Sequence, residues 1–326
     1  MNKLSHKRVT VTGGAGFLGS YVAEKLYKEN SLVSIPRSAY YDLTLVEDTR
    51  NMYLDYQPEI LIHLAAKVGG IGANQNNPGE FFHDNMAMGL NVIEQGRIYG
   101  GLEKLVIIGT TCSYPKYTQT PFKEEHVWDG FPEETNAPYG IAKRALLSMA
   151  WGYRSQYGMN IIYLIPANLY GPGDNFDPAN SHVIPALIRK ITEAKEQSEP
   201  QVVAWGTGKP TREFLYAEDA AEGIVKASTL YDNPAPLNLG TGVEVSIKDL
   251  ADHLSSLINY SGSITWDETK PDGQPRRCLD VSSAKAEVGF EAKTPLAFGL
   301  METVQWYMTN RELVNHPGDK SSDTQG

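Results

Sequence analysis

Tyr139 and Lys143 stand four residues apart in Tyr139-Gly-Ile-Ala-Lys143. On a helix that spacing puts both on one face, one turn from each other. A free tyrosine titrates near pH ~10, and a neighbouring ammonium favours its phenolate. Such a tyrosine can give a proton to a carbonyl oxygen or take one from an alcohol, which is the acid–base half of hydride transfer. The pair alone says little, because both residues are common on helix surfaces. A second string, Thr110-Thr-Cys112-Ser-Tyr-Pro, precedes it, and His182 follows in Ser181-His182-Val183. Taken singly, Cys112 reads first as a small apolar filler at a strand end, and His182 as a structural hydrogen-bonder.

These groups need a scaffold and a cofactor. Val9–Thr12 reads as a buried strand, followed by Gly13-Gly-Ala-Gly16-Phe17-Leu18-Gly19 and a helical pattern through Val22 and Leu26. Glycines there allow a tight turn and close approach of backbone to a pyrophosphate at the helix N-terminus. The spacing is G-x-x-G-x-x-G, and Phe17 and Leu18 sit where helix N–H groups face the phosphates. The next strand ends at Ser34-Ile-Pro-Arg37, with no carboxylate before Asp42. An acid there would read a ribose hydroxyl, whereas an arginine suits a 2′-phosphate. NADP(H) is therefore expected, with Arg37 as the phosphate clamp. An exposed loop arginine is the competing reading.

Further along, Glu59–Ala66 predicts a strand reaching the cofactor edge at Leu64, Ala65 and Ala66. A helix is expected near 85–99 and a strand at 105–109 with Thr110 at its carboxyl end. Another strand, 161–165, leads to Asn168. The alternation predicts an α/β fold, a Rossmann-type doubly wound parallel sheet with ligands at the strands' carboxyl ends. The expected division is a nucleotide-binding domain over 1–170, with 214–240 returning to it. Residues 171–213 and 241–312 form a smaller C-terminal substrate lobe, and 313–326 a disordered tail. The 326-residue chain carries a net charge of −10, which argues against nucleic acid. No apolar run approaches the ~20 residues that span a bilayer, so no membrane partner is expected. The first strand follows Met1 too closely for a signal peptide. Two cysteines, Cys112 and Cys278, give no disulfide framework, and a cytoplasmic setting is expected. No metal ligand set is assigned.

Longer stretches are more specific. HLAAKVGGI at 63–71, TTCSYP at 110–115, YGIAK at 139–143 and NLYGPGDNFDPANSHVIPALIRK at 168–190 resemble the extended short-chain dehydrogenase/reductases. Together with WGTGKPTREFLY at 205–216 and KPDGQPRRCLDVS at 270–282, they resemble the GDP-L-fucose synthase family in particular. The resemblance implies an NADPH-dependent 3,5-epimerase-4-reductase on GDP-4-keto-6-deoxy-D-mannose. It implies that Cys112 is the base, His182 the acid, and Tyr139 the donor to the C4 oxygen. Lys143 would lower the tyrosine's pKa and bind the nicotinamide ribose, and Thr110 would stand for the family's serine. Arg212 and Lys190, the latter where the family usually has arginine, would meet the diphosphate. Arg276, or Arg277, would add charge there. Asp272 would read hydroxyls, Trp205 would stack on base or ribose, and Asn168 would orient backbone or substrate. Ser113 departs from the branched apolar residue common at its position, which bears on the stereochemical outcome. A homodimer through a four-helix contact is implied, with Leu146, Leu147 and Trp151 serving either that or the core. Two alternatives stay open: a relative acting on another GDP-keto sugar, dideoxy or heptose, and a non-catalytic NADP sensor.

Overall fold

The computed structural model describes residues 3–178 and 180–315. Strand β1 (Arg8–Thr12) leads through the glycine turn into α1 (Phe17–Lys28), β2 (Leu32–Ser34), α2 (Val46–Tyr56) and β3 (Ile60–His63). The short α3 (Ile71–Asn76), the long α4 (Pro78–Tyr99) and β4 (Lys104–Ile108) follow. Helix α5 (Ala137–Tyr157) carries Tyr139 and Lys143 and runs into β5 (Ile161–Pro166) and β6 (Asn168–Tyr170). Then come α6 (Val183–Glu196), β7 (Gln201–Trp205), β8 (Thr211–Tyr216), α7 (Ala217–Leu230), β9 (Leu237–Leu239) and β10 (Glu244–Ser246). The chain closes with α8 (Ile247–Ile258), β11 (Ser263–Asp267), β12 (Arg276–Arg277), α9 (Ser282–Val288) and α10 (Leu296–Asn315).

Six strands form one parallel sheet in the order β2-β1-β3-β4-β5-β9, the expected doubly wound arrangement. Strands β3, β4 and β5 are unbroken apolar runs because helices cover both of their faces. Their register places Thr12 beside His63, His63 beside Ile107, and Ile107 beside Tyr163. The carboxyl ends of the central strands are therefore level, and the loops that leave them open onto one crevice. Strand β3 ends at His63, so Leu64–Ala66 are loop. Helix α4 starts earlier than its apolar pattern suggested, because Pro78 suits a first turn that needs no N–H bond.

A second, smaller assembly is built on β10, β8 and β12, with β6 beside β8, and on the parallel pair β11–β7. Its core joins α6, α8 and α10 through Ile188, Leu250, Leu254 and Tyr307. Phe214 and Tyr216 of β8 pack there, while Leu279, Val288 and Phe290 pack in the core of the large sheet. Strand β8 thus serves both cores, with Leu215 turned to the large one and its two neighbours to the smaller. Residues 313–315 continue α10, and the tail expected over 316–326 lies outside the described residues.

Candidate active site

A cleft of about 940 Å³ runs along the level strand ends, between the large sheet and the smaller assembly. Gly13, Gly16, Phe17, Leu18 and Gly19 line one end, with Arg37 beyond β2 and Leu64, Ala65 and Ala66 beyond β3. Thr110, Cys112, Tyr139, Lys143 and Asn168 line its middle. His182, Lys190, Trp205, Arg212 and Asp272 line the part that the smaller assembly contributes.

The glycine end fits a dinucleotide. Helix α1 begins with no side-chain cap and no acidic residue in its first turn, so its free N–H groups point at the cleft as an anion site. A Cβ at Gly19 would collide with the Gly13 carbonyl, which is why the helix can start so close to β1. Arg37 is exposed and, among the described residues, has no ion-pair partner. Asp42 also lines the cleft, but its Oδ1 is engaged by the backbone N–H of Thr44 at 2.9 Å and its hydroxyl at 2.7 Å.

The reacting centre is set by a turn locked onto a helix. After β4 the chain makes a tight turn over Thr111–Ser113, where Thr110 Oγ1 accepts from the Cys112 N–H at 3.2 Å. Ser113 Oγ donates to the Gly140 carbonyl at 3.1 Å, and Arg144 Nε donates to the Ser113 carbonyl at 2.9 Å. Arg144 also holds Gly130 through Nη1 at 2.8 Å. Gly140 lets α5 lie against the Cys112 carbonyl, since a Cβ there would strike that oxygen. From below, the Tyr163 hydroxyl on β5 donates to the Lys143 carbonyl at 2.8 Å. Cys112, Tyr139 and Lys143 are thereby fixed relative to one another.

Burial decides the protonation states. It pushes the Tyr139 phenol up; the nearby Cys112 adds to this and a hydrogen bond with Thr110 opposes it. This reverses the expectation that Lys143 would draw out the phenolate, because losing hydration costs the anion more. Tyr139 is therefore held as a proton donor. Burial also lowers the Lys143 ammonium, from its ordinary 10.5 to about 8. The His182 ring opens onto the cleft but is crowded by its walls; that desolvation, then the charge of Arg277, lowers its imidazole. Arg212 is pulled down to about 9, first by burial and then by Arg277 beside it. Among the described residues neither of these two guanidiniums has a carboxylate ion-pair partner, although Glu133 and Asp272 act on Arg212 from further away.

One assignment is corrected. Arg276 does not line the cleft: it is exposed and paired with Glu244. Its neighbour Arg277 lies inward, because successive residues of β12 point to opposite sides of the strand. Asp272 lines the cleft, yet its two oxygens accept from the Thr207 N–H at 2.7 Å and hydroxyl at 2.8 Å, clasping a loop. Trp205 is exposed between Lys190 and Lys270, whose ammonium groups lie 6.0 and 5.5 Å from its ring. Asn168 Nδ2 donates to the Glu213 carbonyl at 2.8 Å. His63 is fully buried with Nδ1 2.8 Å from Thr12 Oγ1, and desolvation, with Lys143 second, holds it down to about 3. His83 is exposed against Asp84. Arg144 and Tyr163 carried no signal of their own in the sequence.

The chain belongs to the NAD dependent epimerase/dehydratase family, whose model matches residues 9–240. It is 41% identical to the GDP-L-fucose synthase of Sinorhizobium fredii over 310 residues, 95% of this chain and 98% of that one. Within the wider family it belongs with the GDP-L-fucose synthases. Among solved structures, a GDP-L-fucose synthetase from Naegleria fowleri bound to NADP has a TM-score of 0.84 at 30% identity, covering 93% of this chain and 94% of that one. A GDP-6-OMe-4-keto-L-xylo-heptose reductase from C. jejuni has a TM-score of 0.88 at 27% identity, covering 94% and 99%.

The buried ammonium gives a testable pH dependence. Below about pH 8 Lys143 is charged both folded and unfolded, so the folded state carries the full desolvation cost. As pH rises past 8 the folded chain loses that proton first. The unfolded state then binds more protons, and stability rises toward 10.5. Lys143→Met should be the more stable protein at pH 7. Its advantage should shrink by on the order of 3 kcal/mol between pH 8 and 10.5. Urea melts across that range check it; a constant difference refutes the buried charge.

Proposed function

We propose that the protein is an NADPH-dependent epimerase–reductase that converts GDP-4-keto-6-deoxy-D-mannose into GDP-L-fucose. The observation that carries this reading is the convergence of Cys112, His182, Tyr139 and Lys143 on one cleft beside two arginines without acidic partners. The 4-keto group makes the C3 and C5 hydrogens acidic. Cys112 takes a proton from one face, Tyr139 stabilises the enolate oxygen by donating a hydrogen bond, and His182 returns a proton from the other face. Repetition at the second carbon inverts both centres. NADPH, when bound, supplies hydride to C4. Tyr139 then gives its proton to the C4 oxygen, a role that suits a phenol kept protonated by burial. Thr110 holds the Cys112 turn and hydrogen-bonds Tyr139. Lys143 presents a positive charge for the nicotinamide ribose. Arg212 and Lys190 face the diphosphate, with Trp205 at the nucleoside. The smaller assembly, residues 171–213 and 241–312 in the main, forms the sugar-nucleotide lobe.

A second reading has its own support. The C. jejuni relative is named a GDP-heptose reductase, and a Yersinia pseudotuberculosis relative 32% identical to this chain is named GDP-L-colitose synthase. A heptose or dideoxy GDP-keto sugar would use the same centre with altered contacts at the sugar. Turnover of each candidate in heavy water separates these: the proposed substrate takes up deuterium at both C3 and C5, whereas a plain reductase takes up none. Cys112→Ala should suppress that uptake by about a hundredfold or more, and Tyr139→Phe should nearly abolish reduction. Normal deuterium uptake without Cys112 would assign the base elsewhere.

NADP(H) is the proposed cofactor because Arg37 lines the glycine end of the cleft, exposed and, among the described residues, without an ion-pair partner. Arg37→Ala should weaken NADPH binding at least about tenfold while changing NADH little. Equal weakening of both, measured by fluorescence titration, places Arg37 outside the phosphate site.

No helix among the described residues is long and apolar enough to cross a membrane. We propose a cytoplasmic homodimer. Helices α4 and α5 pack together and leave Leu90, Ile98, Trp151 and Tyr157 exposed, while Leu146 and Leu147 are buried in the monomer core. Sedimentation should give twice the mass of one chain, and Ile98→Glu should shift it to one.

A further inference from the structure

Arg277 is more than nine-tenths buried, and its guanidinium is aimed into the cleft. Nη1 lies 3.6 Å from Cys112 Sγ. Its Nε donates to Gln274 Oε1 at 3.1 Å. Gln274, itself 2% exposed, donates through Nε2 to the Pro115 and Lys116 carbonyls at 3.1 and 3.0 Å. Those two carbonyls belong to the segment that continues directly from the Cys112 turn. The arginine is therefore braced against the loop that carries the sulfur, and its aim follows that loop.

A neutral thiol is a weak acceptor and leaves a buried guanidinium uncompensated. Arg212, paired with Arg277 across β12 and β8, is a second positive charge and makes the shortage worse. Among the described residues no carboxylate stands within ion-pair distance of Arg277. An ionised sulfur supplies the missing negative charge at the position where the guanidinium points. His182 faces the same guanidinium, whose positive charge opposes proton uptake on the imidazole.

We propose that Arg277 is the counter-charge of Cys112, a positioning residue that keeps the sulfur ionised for removing protons next to the keto group. This rests on the reading of Cys112 as the base. In each inversion the sulfur takes the proton from C3 or C5. The C–H electron pair moves into the bond to C4, and the carbonyl pair moves onto its oxygen. His182 then returns a proton to the opposite face, the carbonyl re-forms, and solvent resets the thiol and imidazole. In this role Arg277 acts through the sulfur, while its charge also bears on His182 and Arg212. Arg212 differs in that its hydrogen bonds go to the Thr211 and Asp272 carbonyls rather than to the sulfur, although it too interacts electrostatically with Cys112.

The test uses the full-length protein and two readouts. In the ligand-free protein, iodoacetamide alkylation of Cys112 at pH 7 is followed on its peptide by mass spectrometry, with the Cys278 peptide as internal reference. Arg277→Gln should slow Cys112 alkylation at least about tenfold, and Arg277→Lys should restore it to within about threefold. Gln274→Leu, which releases the brace but keeps the charge, should give an intermediate rate and stands in if Arg277→Gln does not fold. During turnover in heavy water, Arg277→Gln should lower the ratio of deuterium uptake to C4 reduction by at least about tenfold. Unchanged Cys112 alkylation together with a raised KM for the GDP-sugar would overturn the proposal and make Arg277 a phosphate ligand. If the unaltered protein takes up no deuterium, the epimerase reading fails, yet the alkylation rates still decide whether Arg277 governs the sulfur.

Discussion

The site depends on the attachment of a three-residue turn to the first turns of α5. Ser113 bonds the Gly140 carbonyl, Arg144 bonds the Ser113 carbonyl, and Gly140 leaves no side chain to hold the two backbones apart. Cys112 and Tyr139 come from different elements, and this contact sets their separation together with the Tyr163 bond to Lys143 and the Thr110 bond to Tyr139. Ser113, which departs from the branched apolar residue that the resemblance implies there, turns its hydroxyl into α5, away from the cleft. Any effect of that exchange on stereochemistry is therefore indirect, through the placement of Cys112.

Around this fixed centre the cleft is short of negative charge, although the chain as a whole carries −10. Lys143 and Arg277 are buried cations and Arg212 is partly buried, and among the described residues no carboxylate forms an ion pair with either arginine. Desolvation of this kind is unfavourable until an anion arrives. A dinucleotide phosphate at the α1 end and a sugar diphosphate at the Arg212 end would each supply one. Uneven charge, rather than net charge, defines the ligands here.

The fold was legible because its signals are local. Continuous apolar strands, a glycine turn between strand and helix, and a Tyr–Lys pair on one helical face each lie within about ten residues of sequence. Most cleft residues were legible for the same reason. Three things were not. Which of two adjacent arginines faces inward depends on how the two-residue β12 is seated against β8, and no periodicity can be read from two residues. The protonated state of Tyr139 depends on how deeply the finished cleft excludes water from it. The roles of Tyr163 and Arg144 depend on which carbonyls they meet across 20 and 31 residues of chain. The strand β8 lies in the middle of the smaller sheet although the helix after it packs against α1, and no local pattern announces that exchange.

Cys112 hangs from the large sheet, whereas His182 caps α6 and is carried by the other core. Tyr139 and Lys143 both sit on the Cys112 side. On the proposed roles, hydride transfer draws its acid from one core alone, whereas inversion draws a proton acceptor from one core and a donor from the other. The handedness of the product then rests on how the two cores are seated against each other.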